Sequence, residues 1–357
     1  MQVIDFEYVL PENLIAQSPA SRRDSSRLMV LDRLSEAIHH QVFSDLPQLL
    51  TPGDLLVLNN SKVLPARLRA KKSPTGGVFE ILLLHEAALN EWWCLLRPAK
   101  RAPLRSTLML TGPDGQDSGV RAVILDKQED GSRLIRFEGC PDLRLELERL
   151  GEIPLPPYIR RLNHPTPEDA TRYQTVYAQP PGSVAAPTAG LHFTPELLDE
   201  LQSRGVQTAQ VTLHVGQGTF TPVKEDDISL HKMHEEEFQI TEQAAGAVNR
   251  AKRQHRRVIA VGTTSARVLE SANTSPGGDL LPGAGRTRIF IYPPRNFRFV
   301  DAMITNFHLP RSTLLMLVSA FASPGRLEGR EVILRAYAEA IQERYRFFSF
   351  GDAMLIQ

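Results

Sequence analysis

Residues 64–152 consist of short apolar runs separated by turn-forming residues, and this texture constrains the fold more than any other feature. The runs lie at 79–84, 92–96, 108–110, 120–125 and 134–137. Turn sequences rich in glycine, proline and aspartate separate them at 74–77, 112–115 and 129–131. Short strands at this spacing predict a small antiparallel β-barrel. A proline-rich sequence at 154–157 ends the block like a linker.

The remainder of the chain alternates strand and helix patterns, which is typical of an α/β domain. Thr194 is predicted to cap a helix with Pro195 at its first position, and Gly205 lies just past the predicted end. Residues 258–261 predict a buried strand, followed by a turn at 262–264. Further strands are predicted at 206–215, 288–292, 302–307 and 345–356, and further helices at 241–254, from 265, from 312 and at 328–344.

A strand pattern at 54–58 precedes the β-rich block and must pair with strands elsewhere in the chain. We therefore predict an α/β sandwich domain formed by residues 1–63 and 154–357. Residues 64–153 are predicted to form a small antiparallel β-barrel domain inserted into it.

Composition excludes several classes of protein. Hydrophobic residues make up 42% and charged residues 23% of the chain, as in ordinary soluble proteins. The N-terminus has no apolar signal region, and the apolar run at 314–322 is too short to cross a membrane. Cys94 and Cys140 lie far apart, so we expect reduced thiols in a cytoplasmic protein without a membrane partner. The formal net charge of zero argues against a generally basic nucleic-acid-binding surface.

Residues 184–238 hold four of the ten histidines: His192, His214, His231 and His234. Histidine changes charge near neutral pH, so this concentration favours an active site. The sequence HKMHEEE at 231–237 allows a metal site but matches no strong metal motif. A carboxylate beside an imidazole is better explained by acid–base chemistry or a cationic substrate, with an exposed acidic segment as the alternative. His192 and His214 are equally compatible with hydrogen-bonded scaffold roles.

Polar residues follow two predicted strands at their carboxyl ends. They are Gly262, Thr263 and Thr264 after one strand, and Asn306 and His308 at the end of the other. Ligands of α/β sheets bind at such ends, where free N–H groups suit a polar or anionic group. The chain has no Gly-x-Ser-x-Gly elbow and no cysteine in a suggestive context. Direct displacement between bound substrates is therefore favoured over covalent catalysis.

Seven segments lie in order along the chain and together carry a resemblance. They are NNSKVLPAR (59–67), AAPTAGLHFT (185–194), VTLHVGQGTF (211–220), HKMHEEEF (231–238), VGTTSARVLES (261–271), TNFHLPRSTLLMLVSAF (305–321) and YRFFSFGDAMLI (345–356). This ordered set resembles the S-adenosylmethionine:tRNA ribosyltransferase-isomerase family of queuosine biosynthesis. The family also has a β-barrel inserted in an α/β domain, in agreement with the pattern of elements above.

The resemblance implies an unusual reaction. The ribosyl part of S-adenosylmethionine is transferred to 7-aminomethyl-7-deazaguanine at the wobble position of tRNA and isomerised. Epoxyqueuosine forms, and adenine and methionine are released. S-adenosylmethionine is consumed as a substrate, so no cofactor and no metal are expected, and the partners are this donor and the tRNA.

The chemistry suggests roles for the histidine-rich segment. We expect His234 and Glu236 to form an acid–base or orienting pair, with His192 or His214 as the other proton carrier. The family pattern is His-x-Met-His-x-Glu, so Glu235 and Glu237 fall at variable positions and receive no role.

Binding roles follow from the strand ends and the arginines. The adenosyl group is expected near Gly262, Thr263, Thr264, Asn306 and His308. Arg67 is a candidate substrate-binding residue for tRNA, as are Arg22, Arg23 and Arg27, since RNA recognition often uses arginines.

Two other functions are compatible with parts of the sequence. One is a metal-dependent hydrolase that uses the four histidines of residues 184–238. The other is a non-catalytic RNA-binding module whose barrel grips RNA, although the histidines and Gly-Thr sequences lie outside the barrel. A monomer is expected rather than an oligomer.

Overall fold

The structure is a computed structural model that describes residues 1–72, 76–161, 164–216, 223 and 225–357. Its helices are α1 (Leu46–Leu49), α2 (Leu143–Leu150), α3 (Pro167–Arg172), α4 (Pro195–Ser203), α5 (Glu242–Arg253), α6 (Gly262–Ser271), α7 (Thr313–Ala322) and α8 (Gly329–Gln342). Its strands are β1 (Arg27–Leu31), β2 (Ile38–Val42), β3 (Leu55–Asn59), β4 (Lys62–Val63), β5 (Arg67–Lys72), β6 (Gly77–Ala88), β7 (Glu91–Arg97), β8 (Thr107–Thr111), β9 (Asp117–Lys127), β10 (Arg133–Glu138), β11 (Gly151–Glu152), β12 (Pro181–Ser183), β13 (Gln207–Leu213), β14 (Glu236–Ile240), β15 (Val258–Val261), β16 (Gly283–Thr287), β17 (Ala302–Asn306) and β18 (Ala353–Ile356).

A mixed nine-stranded sheet forms the centre of the molecule, in the order β16-β14-β13-β3-β15-β17-β18-β1-β2. Side chains alternate between the two faces of a strand, so Leu55 and Val57 of β3 enter one core and Leu56 and Leu58 enter the other. Helices α5 to α8 cover the first face, and α1 and α4 cover the second. The predicted α/β sandwich is confirmed.

The predicted β-barrel is confirmed as well. Strands β5, β6, β7, β10, β9 and β8 are antiparallel neighbours, and pairing of β8 with β5 closes the ring. Leu143, Leu147 and Leu150 share one face of α2 and pack into the barrel core. The domain limits, 1–63 with 154–357 and 64–153, stay a prediction.

Helix boundaries follow the capping residues. The Thr194 hydroxyl accepts a hydrogen bond from the Leu197 N–H at 3.1 Å, and α4 ends shortly before Gly205, which has a φ of +85°. Thr241 and Ser312 cap α5 and α7 in the same way. The predicted starts of these three helices are confirmed.

The predicted turn at 262–264 is wrong. Helix α6 begins at Gly262, directly after β15, rather than at Ser265. Gly262 has a φ of +87°, a left-handed conformation that glycine adopts at little cost. The chain therefore changes from strand to helix at a single residue and needs no separate turn.

Two predicted strands are also corrected. The strand near 288–292 lies instead at Gly283–Thr287, where it pairs with β14. Pro293 and Pro294 directly follow residues 288–292, and proline cannot donate to a sheet. The last strand covers only Ala353–Ile356, because Phe348 has a φ of +73°, which extended strands do not adopt.

Some predicted features lie outside the described residues, namely 74–75 of the first barrel turn and 217–220 of the VTLHVGQGTF segment. Within the described part of the chain, none of the helices combines the length and apolar character needed to cross a bilayer.

Candidate active site

The carboxyl ends of β15 and β17 lie side by side, because these strands are parallel neighbours. A cleft of about 650 Å³, counted to its open mouth, lies at this edge. It brings together all the residues predicted to hold the adenosyl group: Gly262, Thr263, Thr264, Asn306 and His308. Its other walls include Tyr158, Pro187, Val215, Leu309, Leu314 and Phe348. A concave apolar site with a few polar groups is the usual form of a small-molecule site.

The start of α6 supplies polar groups to this cleft. Thr263 and Thr264 are both buried, and the Thr264 hydroxyl has no hydrogen-bond partner in the described structure. Val261, the N-cap residue, contributes no side-chain cap to the first turn of α6. A helix start leaves backbone N–H groups free. The unpartnered hydroxyl beside these N–H groups is suited to a ligand hydroxyl, amine or ring nitrogen.

Asn306 ends β17 and is held by two side chains and one backbone carbonyl. Its Oδ1 accepts from the Thr188 hydroxyl at 2.7 Å, and its Nδ2 donates to the Phe348 carbonyl at 3.3 Å. Nδ2 also lies 3.3 Å from His192 Nε2. Since an amide nitrogen only donates, His192 Nε2 accepts and its Nδ1 carries the proton.

His192 lies behind Asn306 rather than on the cleft wall. Its Nδ1 is 2.7 Å from the Ser26 hydroxyl, and its ring stacks on Phe43 at 5.0 Å between centroids. Burial, helped by the charge of Arg346, lowers the pKa of His192 to about 3. The residue is therefore a neutral imidazole that orients Asn306.

His308 is the histidine that lines the cleft itself. Its Nε2 is 2.8 Å from the Thr305 hydroxyl, and its backbone N–H donates to the Tyr337 hydroxyl at 3.0 Å. Tyr8 donates to the His308 carbonyl. Burial lowers the pKa of His308 to about 3, so this side chain also faces a ligand as a neutral imidazole.

Two aromatic rings form one wall of the cleft. The Tyr158 and Phe348 centroids are 4.8 Å apart, and the Tyr158 hydroxyl is 2.6 Å from the Ser349 hydroxyl. An aromatic face attracts a cation and excludes water from it. Sequence reasoning missed both residues as site candidates, although Phe348 lies within the YRFFSFGDAMLI segment.

Glu236 forms a buried ion pair with Arg267, a residue that sequence reasoning missed. Its Oε1 accepts from the Gly216 N–H at 3.0 Å, and Gly216 follows Val215 of the cleft wall. Arg267 lies one helical turn beyond Thr264, and its Nε and Nη2 are buried without a partner in the described structure. Arg267 therefore keeps two strong donors that no described group satisfies, although the residue does not line the cleft. The signal in the sequence was an arginine on the same helix face as Thr263, Thr264 and Glu270, in a helix that is buried throughout most of its length.

His234 is exposed and lies on the segment that leads into β14. The pKa of Asp130 in the barrel is lowered, since hydrogen bonds from Ser132 and the nearby His234 and His85 outweigh the effect of its burial. Glu236, in contrast, pairs with Arg267. Glu236 is thus engaged by Arg267 and the Gly216 N–H, and the pair of His234 and Glu236 stays a prediction.

The remaining histidines of the segment are also held separately. His214 Nδ1 is 2.8 Å from the Ser61 hydroxyl, and burial lowers the pKa of His214 against the opposing charge of Glu237. His231 Nδ1 is 3.1 Å from a Glu225 carboxylate oxygen. Across the described ranges, no three histidine, cysteine, aspartate or glutamate side chains come together as metal ligands would.

Arg67 lies on the first barrel strand and does not line the cleft. Its Nη2 donates to the Leu155 carbonyl at 3.1 Å, and its Nε is 3.8 Å from a Glu80 carboxylate oxygen. These contacts connect the barrel to the segment that leaves it. Arg22, Arg23 and Arg27 lie near the N-terminus of β1, and Arg23 lines a second cavity described below.

Comparison with known proteins covers nearly the whole chain. The family model described as queuosine biosynthesis protein matches residues 3–356. The S-adenosylmethionine:tRNA ribosyltransferase-isomerase of Desulforamulus reducens is 51% identical over 357 residues, with both chains fully covered. The protein of the same name from Caldanaerobacter subterraneus subsp. tengcongensis is also 51% identical, over 356 residues and the full length of both chains.

A solved structure is similar as well. The crystal structure of S-adenosylmethionine tRNA ribosyltransferase from Thermotoga maritima matches with a TM-score of 0.56 and 40% identity. The match covers 99% of this chain and 100% of that one.

Proposed function

Because the chain belongs to the S-adenosylmethionine:tRNA ribosyltransferase-isomerase family of queuosine biosynthesis and is a transferase-isomerase, we propose the following reaction for it. It transfers the ribosyl part of S-adenosylmethionine to 7-aminomethyl-7-deazaguanine at the tRNA wobble position and isomerises it to epoxyqueuosine. Adenine and methionine leave, so S-adenosylmethionine is a substrate and not a resident cofactor. The observation that carries the proposal for the site is the cleft where β15 and β17 end.

The donor is proposed to bind with its adenosyl group in this cleft. The Thr264 hydroxyl lacks a partner, and the first-turn N–H groups of α6 lie beside it. Asn306 presents an amide whose orientation is fixed by Thr188 and His192. Fixed polar groups of this kind discriminate one nucleobase or ribose geometry from another, because a mismatched ligand leaves them unpaired.

The sulfonium is proposed to contact the wall formed by Tyr158 and Phe348. A cation over such a ring gains about 0.5–2 kcal/mol, more when water is excluded. His308, which also lines the cleft, adds no repelling charge because burial lowers its pKa to about 3 and keeps the imidazole neutral. The absence of a charged imidazole here favours the binding of a positively charged donor.

Proton transfer is proposed to involve the segment before β14. A proton must leave the carbon beside the sulfonium, adenine must leave with a proton, and the attacking amine must be neutral. Glu236 is buried beside the cleft, and His234 is exposed where a nucleotide can approach from solvent. His214 is the other candidate proton carrier, whereas the neutral His192, first considered for the same role, positions Asn306 instead.

Because the proposed acceptor is a tRNA, we predict that the protein is cytoplasmic. We also predict that it is a monomer. Arg67 is retained as a candidate tRNA contact, since its side chain on the first barrel strand is 23% exposed.

The test is incubation of the purified protein with S-adenosylmethionine and tRNA that carries the aminomethyl base. We expect release of adenine and methionine in step with modification, and none with tRNA that carries guanine at that position. In a folded His234→Ala protein, release should slow by about 10²–10⁴-fold. Near wild-type release in that variant would end the role of His234, and no release by the wild-type protein would end the proposed reaction.

A further inference from the structure

A second, smaller cavity lies beside His192. Arg23, Arg172 and Arg346 line it, and none of its lining residues within the described chain carries a carboxylate. The formal net charge of the whole chain is zero. The cavity therefore concentrates positive charge locally in a protein that is not generally basic.

Arg23 is held only by uncharged groups. Its Nη1 donates to the Leu191 carbonyl at 3.1 Å, and its Nη2 donates to the Thr171 carbonyl at 2.9 Å. Burial and then the neighbouring charge of Arg172 lower the pKa of Arg23. These are the surroundings of a cation that is positioned without a neutralising anion.

The other two arginines are only partly neutralised. Arg172 Nη1 donates to the Ser21 carbonyl at 3.3 Å, its Nε is buried without a partner, and its ion-pair contact with the mostly exposed Glu168 is 3.6 Å long. Arg346 Nη2 is 3.5 Å from Asp352 Oδ1. That carboxylate also accepts the backbone N–H groups of residues 27 and 346, at 3.0 and 2.8 Å. The three guanidinium groups thus have only two carboxylate partners, Glu168 at 3.6 Å and Asp352 at 3.5 Å, and neither carboxylate lines the cavity.

The cavity adjoins the cleft. Ser349 lines both, and His192 in the cavity wall is hydrogen-bonded to Asn306 in the cleft wall. The cavity rim is formed by the segment around Pro19 and Ala20, whose neighbours Ser18 and Ser21 are exposed. An anion that enters from the surface would therefore lie next to the proposed reaction centre.

We propose that Arg23, Arg172 and Arg346 form a binding site for one backbone phosphate of the tRNA, beside the nucleotide that is modified. This rests on the proposed function, in which tRNA is the acceptor. Guanidinium groups match phosphate oxygens in geometry and charge. The other anion available in the reaction, the carboxylate of S-adenosylmethionine, would have to pass the wall of His192 and Asn306 to reach the same arginines.

The first test compares Arg23→Met with the wild-type protein, using an anticodon stem-loop RNA. We expect binding to weaken about tenfold or more, as for loss of a charged hydrogen bond. The slope of log affinity against log salt concentration should fall by about one. The KM for S-adenosylmethionine should stay unchanged. A raised KM for S-adenosylmethionine with unchanged RNA affinity would instead assign the site to the donor carboxylate and overturn the proposal.

A second test identifies the phosphate. Stem-loops with a single uncharged methylphosphonate are scanned along the anticodon loop. At one position the methylphosphonate should weaken binding to the wild-type protein, and it should weaken binding to Arg23→Met clearly less, because the Arg23 contact to that phosphate is already lost. If no position couples to Arg23 in this way, the proposal is wrong.

Matched variants distinguish a lost phosphate contact from a folding defect. Arg33 is also partly buried and donates to two backbone carbonyls, of Phe321 and Asp301, but lies outside both cavities. Arg33→Met should leave RNA affinity and its salt slope unchanged. Should Arg23→Met fail to fold, Arg172→Gln replaces it in the methylphosphonate scan, with the same coupling expected. Adenine release by the wild-type protein reports separately on the proposed function.

Discussion

At the scale of single residues, the site depends on how buried polar groups are satisfied. Asn306, His192 and Ser26 form a chain of hydrogen bonds from the cleft to the base of β1. The sequence predicted that Asn306 and His308 meet Gly262, Thr263 and Thr264, because strand ends in a parallel sheet share one edge. It could not predict Arg267 or Tyr158, since their contacts are made by residues distant in sequence.

The buried ion pair of Glu236 and Arg267 gives a prediction for stability. Glu236→Gln should lower the free energy of unfolding by about 3–5 kcal/mol, because the Arg267 cation remains buried without a counter-charge. Urea denaturation measures the change. Glu235→Gln is the matched control, since the exposed Glu235 pairs with Arg286 and Arg288 and should cost less than about 1 kcal/mol. Equal losses in the two variants would contradict the account.

The neutral histidines predict a dependence of stability on pH. The pKa values of His192 and His308 are lowered to about 3 by burial, whereas an unfolded histidine titrates near about 6.5. Between these values the unfolded chain binds protons that the folded chain does not. The contribution of these two histidines to the free energy of unfolding is therefore complete above the unfolded pKa, and it is lost as pH falls towards the folded pKa.

Within that pH window, each of these histidines changes the free energy of unfolding by up to about 1.4 kcal/mol per pH unit. His192→Gln should make the decline in the free energy of unfolding shallower by about one such slope, measured by urea denaturation at several pH values. A decline as steep as that of the wild-type protein would show that His192 is not held neutral.

At the scale of elements, capping residues and hydrophobic periodicity predicted helices well, while strand ends were less predictable. The helices after Thr194, Thr241 and Ser312 begin where their caps indicate, because the capping hydrogen bond is local. The direct passage from β15 into α6 was missed, since it depends on the φ of Gly262. The apolar sequence at 288–292 was mistaken for a strand because its burial, which involves Ile291, comes from packing and not from sheet pairing.

Gly262 and Gly246 differ in backbone conformation, so replacing each with alanine should have opposite effects on stability. Gly262→Ala should destabilise the protein by about 1 kcal/mol or more and weaken binding of S-adenosylmethionine, because alanine disfavours a φ of +87°. Gly246→Ala should stabilise it by about 1 kcal/mol, since Gly246 lies within α5 and an added Cβ would meet nothing within 4 Å. Thermal unfolding and donor titration measure both. The same sign of change in the two variants would contradict this assignment.

At the scale of the whole molecule, the order of elements was predictable and the contacts that define the site were not. The turn spacing of residues 64–152 is a property of the sequence itself, so the barrel could be predicted. The apposition of the two cavities across His192 depends on how the segment near Ser26 packs against β17. Such a contact between distant segments cannot be predicted from the periodicity of the sequence.

The two domains predict separable unfolding signals. Both tryptophans, Trp92 and Trp93, lie on β7 of the barrel, whereas most helices cover the nine-stranded sheet. A saturating donor should stabilise the domain that binds it. We expect S-adenosylmethionine to raise the midpoint of the helical circular dichroism transition and to leave the tryptophan fluorescence transition unchanged. Equal shifts of both signals would show that the chain unfolds as one unit.

The central claim is that the donor binds in the cleft where β15 and β17 end. A crystal structure of the protein with S-adenosylmethionine tests it most directly. The account predicts the adenosyl group in contact with Thr263, Thr264 and Asn306, and the sulfonium against Tyr158 or Phe348. Electron density for the donor in the barrel, or at any site that leaves these residues free, would contradict it.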